Sequence, residues 1–99
     1  MKVFKDPDFK EELNELNLGR VDAGFSKEFT FYLLNESGAK LENIKFLINH
    51  PEISLVKVPS TMNESGKDTL ILKWSPTITL KEALKTNFTI EQEELYEPK

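Results

Sequence analysis

The feature that most constrains this chain is a rhythm of two. Across residues 27–34, KEFTFYLL, Phe29, Phe31 and Leu33 fall on one side of an extended backbone, and Glu28, Thr30, Tyr32 and Leu34 on the other. The same alternation returns in residues 43–49, with Ile44, Phe46 and Ile48 inward and Lys45 outward, until Pro51 forces His50 away from helical geometry. Residues 53–58 supply a third apolar segment, closed by Pro59. Leu70, Leu72 and Trp74 alternate against Thr69, Ile71 and Lys73, and Leu84, Thr86, Phe88 and Ile90 against Lys85, Asn87, Thr89 and Glu91. Turn formers separate these runs: Gly19, Asp22-Ala23-Gly24, Asn35-Glu36-Ser37-Gly38, Asn63-Glu64-Ser65-Gly66 and Ser75-Pro76. Short strands at such spacing predict an all-β, antiparallel sandwich rather than βαβ units.

A chain of 99 residues has room for a single core. Hydrophobic residues at 38%, ten aromatics among them, can fill it. Thirteen Lys+Arg against seventeen Asp+Glu leave a net charge of −4, with no basic block, which argues against nucleic acid as a partner. There are no cysteines, so disulfides, thiolate metal sites and a cysteine nucleophile are excluded. The first residues meet a charge every few positions, so no export signal is expected, and no run approaches the roughly 18 apolar residues of a membrane span. A virion or cytoplasmic location is the expectation.

Two places read as helical turns. Asp6-Pro7 could open one that aligns Phe9, Leu13 and Leu16, although the same residues fit an extended arm. Thr79 with Glu82 forms a capping box that predicts one helical turn before the final strand. The tetrapeptide Asn-Glu-Ser-Gly occurs twice without alignable flanks, and reads as one turn solution reached twice.

Three segments carry a family resemblance. Residues 16–24, LNLGRVDAG, resemble the opening strand and glycine turn of immunoglobulin-like sandwiches of the major-sperm-protein and ASH type. Residues 29–38, FTFYLLNESG, resemble their next strand and hairpin, and residues 62–66 with 70–76, LILKWSP, their later turn and tryptophan-bearing strand. The likeness spans residues 13–90, with two departures: Asn63-Glu64-Ser65 replaces a proline, and Leu18 stands where an aromatic is frequent. It implies an immunoglobulin-like antiparallel sandwich of about seven strands, with an arm at 1–12, the sandwich at 13–91 and an acidic tail at 92–99. It also implies a structural or protein-interaction role.

No constellation of side chains suggests catalysis. His50, the one histidine, has neither a second histidine nor a cysteine to share a metal, and the pairs Glu11-Glu12 and Glu93-Glu94 sit in strongly charged segments. Asp6-x-Asp8 lacks the remaining ligands of a calcium loop. No cofactor and no metal are expected. Trp74 alternates with Leu70 and Leu72 and so reads as core. Charge sorts along the chain: residues 25–76 balance at six positive and six negative, while 77–99 hold three positive and five negative. Phe4 and Phe9 in the arm, and Leu95 and Tyr96 in the tail, are apolar groups set among charges. They either fold back over the sandwich or contact another chain, and the second reading makes them the candidate partner contacts. The expected function is an accessory subunit of a larger assembly, such as a capsid-decoration or tail-associated protein of a phage virion, with self-association through the arms. The alternative is a receptor- or carbohydrate-binding module using turns 35–40 and 60–67.

Overall fold

A computed structural model describes residues 1–96. Residues 97–99, the end of the expected tail, lie outside them. Eight strands follow in order: β1 (Lys2–Phe4), β2 (Leu16–Gly19), β3 (Lys27–Leu34), β4 (Lys40–Ile48), β5 (Ile53–Lys57), β6 (Lys67–Trp74), β7 (Leu84–Thr86) and β8 (Phe88–Leu95). All pairings are antiparallel. The strands form three sheets: a four-stranded one in the order β1-β3-β6-β5 and the two-stranded pairs β2-β7 and β4-β8. The longest ladder is β3 on β6, running without a slip from Lys27 opposite Trp74 to Leu34 opposite Lys67.

The alternation identifies the core side chains. Phe31 and Leu33 of β3, Leu41, Ile44 and Phe46 of β4, and Leu70, Leu72 and Trp74 of β6 join Leu16 and Leu18 of β2 in one buried cluster. All three sheets contribute to it, and where Val3, Leu13, Leu16, Phe46, Leu70 and Phe88 meet, no space remains for a water molecule. Trp74 is fully buried, as its rhythm predicts. Removing a buried indole costs about 3–5 kcal/mol.

Three local expectations change. Thr79 and Glu82 do not cap a helical turn; the described residues contain no helix. The Thr79 hydroxyl instead accepts the Ala23 N–H at 2.9 Å, tying two loops together rather than starting a turn of its own. The final alternating run breaks at Asn87 into β7 and β8, because its two halves pair with different strands. The β8 strand then continues through Glu93 and Glu94 to Leu95, opposite Lys40. The arm is extended: β1 pairs with β3, and an irregular loop follows.

The molecule is slender, 55 × 25 × 17 Å, with a radius of gyration of 14.9 Å. A compact 100-residue domain would have about 13 Å. Strand length along one axis therefore separates two ends.

Candidate interaction site

One end is organised by Asn35, whose side chain is fully buried. Its amide nitrogen donates to the carbonyls of Ala39 (2.7 Å) and Asn63 (2.9 Å). Its amide oxygen accepts from the backbone N–H (3.1 Å) and hydroxyl (2.7 Å) of Ser37. Since a buried amide is costly unless its bonding capacity is met, this residue fixes the end of the sandwich. The Asn35 N–H also donates to the Gly66 carbonyl at 2.9 Å. The two Asn-Glu-Ser-Gly turns thus sit against each other.

Beside them lies an open groove of about 510 Å³, lined by Gly38, Ala39, Lys40, Asn63, Glu64, Leu95 and Tyr96. Leu95 is 44% and Tyr96 65% exposed. The Tyr96 hydroxyl donates to the Glu94 carboxylate at 2.7 Å, which raises the tyrosine's pKa above its ordinary value. Glu42 stands directly opposite Glu93 in the β4-β8 ladder. Asn43, in left-handed conformation at a bulge, donates its side-chain amide to Glu93 at 2.8 Å. This end carries the carboxylates of Glu42, Glu64, Glu93 and Glu94 beside the exposed Tyr96, with Lys40 paired to Glu42 at 3.5 Å.

The other two candidate contacts face inward. Phe4 is buried at 7% exposure, and the Phe9 ring meets it edge-on, with centroids 5.3 Å apart. The Lys67 ammonium lies over the Phe9 ring, 5.1 Å from its centroid. Phe9 adopts a positive φ of 56° to reach this place. The Asp6 carboxylate holds the loop by accepting the N–H groups of Glu11 (2.8 Å) and Lys10 (3.0 Å), and these bonds depress its pKa. Phe4 and Phe9 therefore complete this chain's own fold, and Leu95 and Tyr96 are the accessible pair.

Compared with known proteins, the chain matches no family model, no curated sequence and no solved structure.

The opposite end carries an apolar pair that the alternation pattern did not flag. Phe25 is 67% and Ile78 71% exposed. Their loops are stitched by Gly24 N–H to the Pro76 carbonyl (3.1 Å), by Ala23 N–H to Thr79, and by the paired hydroxyls of Ser26 and Ser75 (2.7 Å). Both residues lie in turn segments, where large apolar groups have no strand face to enter. That mismatch of residue type and setting was the available signal. Glu52 braces the same end by accepting the hydroxyl (2.6 Å) and N–H (2.7 Å) of Thr77, which depress its pKa. His50 is 4.0 Å from Glu52, as part of that turn. Among the described residues, no group of three or more metal-binding side chains converges.

Proposed function

We propose that this protein is a non-enzymatic, immunoglobulin-like interaction module: an accessory subunit of a large assembly, of the kind that decorates a phage capsid or tail. The carrying observation is that a rigid sandwich presents apolar side chains at both ends, Leu95 with Tyr96 at one and Phe25 with Ile78 at the other. The eight residues of β3 hold these ends about 26 Å apart. Such an element can bridge two neighbouring subunits, and repetition over a lattice turns weak contacts into firm attachment.

The test is sedimentation of the protein from the cells or particles that produce it. The intact chain is expected in a high-mass particle. Replacing Leu95 and Tyr96 by serine, or Phe25 and Ile78 by serine, should each deplete it from that particle while leaving the fold intact by circular dichroism. Uniform recovery of the intact chain in the low-mass fraction would rule the proposal out.

A second reading is favoured by one feature. The turns at 35–40 and 60–67 and the exposed Tyr96 line one groove with an amide and two charged groups, as a carbohydrate site would. Saturable binding of a glycan by the purified chain, abolished by Tyr96→Ala, would favour it over docking.

A further inference from the structure

The sandwich treats its edges unequally. Along β1 the outer edge is covered by the chain itself: Lys5 N–H donates to the Glu11 carbonyl at 2.9 Å, and Leu13 N–H to the Val3 carbonyl at 2.7 Å. Along β4 the edge away from β8 is covered by residues 60–62, through reciprocal bonds between Leu41 and Met62 (2.8 and 2.9 Å) and a bond from Ile44 N–H to Ser60 (3.1 Å). β8 carries Glu91, Glu93 and Glu94, and charge is a common protection for an edge. β2 is four residues long and interrupted by a register shift before Gly19.

β5 is less protected on its outer side: Lys57 ends it and a register shift falls between Leu55 and Lys57, but no other segment of the described residues covers it. It ends the four-stranded sheet, and its central side chains are apolar and open to solvent, Leu55 at 40% and Val56 at 50%. The Glu52 carbonyl accepts from Ser75 N–H at 3.1 Å on the β6 side. By alternation Ser54 also faces β6, so Ile53 and Leu55 aim their backbone groups outward. The Ile53 N–H is taken by the His50 carbonyl at 3.3 Å. By the same alternation Leu55, the last residue before the register shift, directs both its N–H and its carbonyl outward, toward an incoming strand.

We infer that β5 pairs with β5 of a second copy of this chain, antiparallel about a two-fold axis at Leu55, joining two four-stranded sheets into one of eight. Three observations select a second copy. In an antiparallel two-fold pair, one residue must face itself and exchange both hydrogen bonds with its mate, and Leu55 has both groups to offer. The charges of the segment are satisfied at home, Glu52 by Thr77 and Lys57 by Asp68 (3.0 Å) and Thr69 (2.7 Å), so two copies approach without unpaired like charges. Pro51 and Pro59 bracket the strand, and the covered β1 edge prevents further addition, so the assembly closes at two. Five-residue strands bury less than the roughly 1,200 Å² of a standard interface, which makes the dimer weak and concentration-dependent.

This inference stands apart from end docking, since it is tested on the purified full chain with no particle present. Analytical ultracentrifugation over a concentration series should show a reversible monomer–dimer equilibrium. Val56→Lys should weaken it by about tenfold or more, a substitution on an exposed edge that leaves the core untouched. Because the chain has no cysteine, Leu55→Cys introduces a single thiol. Facing mates would lie about 5.5 Å apart between Cα atoms, within disulfide range. Mild oxidation should therefore give a covalent dimer for Leu55→Cys and not for Thr89→Cys on β8. A monomer at millimolar concentration with equal cross-linking at both positions overturns the inference. So does an equilibrium unchanged by Val56→Lys, open-ended growth beyond two copies, or a β5 edge shielded only by a different protein.

Discussion

Asn-Glu-Ser-Gly appears twice in this chain, and the two copies end up in contact while using the same four residues differently. In the first, the asparagine side chain is the buried hub, and Gly38 supplies a positive φ of 74°. In the second, the Asn63 main chain does the bonding: its carbonyl accepts from Asn35 and from Gly66 N–H at 2.9 Å. There the positive φ of 56° falls on Ser65. Gly66 is required for another reason, because a Cβ there would lie 2.8 Å from the Asn63 carbonyl oxygen. Identical local chemistry therefore fixes a turn but not its geometry. Which copy goes inward is decided by the partner it meets.

Asn35→Ala should damage the junction of the two turns most. It removes the donor to the Ala39 and Asn63 carbonyls and the acceptor for Ser37. Stranding buried polar groups at the junction of two turns should cost about 3 kcal/mol, read as a lowered urea midpoint with unchanged slope. A loss under about 1 kcal/mol would show that water substitutes for the amide and that the hub is not structural. Gly66→Ala follows at about 2 kcal/mol, because the neighbour it strikes is backbone and cannot swing aside. Gly38→Ala should cost about 1 kcal/mol, since nothing lies within 4 Å of its Cβ and only the left-handed backbone resists. Thermal unfolding of the two glycine variants side by side checks the order; reversal would mean that conformation outweighs contact here.

The same division between local and long-range causes explains how much was legible from residue order. Phe31, Leu33, Phe46, Leu70, Leu72 and Trp74 are core because alternation is a local property, and a sheet with one dry face reads it directly. The stretch 53–58 is also largely apolar, yet Leu55 and Val56 remain exposed, because sheet order puts β5 at the edge. Sheet order is a relation between distant segments that alternation does not encode. Thr79 carries a sound helix-capping pattern and is claimed by Ala23, 56 residues away. At the candidate site, Leu95 and Tyr96 were visible as apolar groups among acids, whereas the groove beside them needed two turns to converge. Phe4 and Phe9 look the same as Leu95 and Tyr96 in sequence; what separates them is that Asp6 folds the arm back and Lys67 closes over the ring.

Asn63 should be nearly silent where Asn35 is costly. Asn63→Ala leaves the residue's carbonyl in place, and with it the bonds from Asn35 and Gly66. If the two asparagines are distinguished by side chain against main chain, this substitution should change stability by no more than about 0.5 kcal/mol, as at an ordinary surface position. Asn35→Ala with Asn63→Ala should then equal Asn35→Ala alone within about 0.5 kcal/mol, because only one side chain takes part in the coupling. A cost at Asn63 approaching that at Asn35 would mean that both amides hold the junction, and the turns would be equivalent after all.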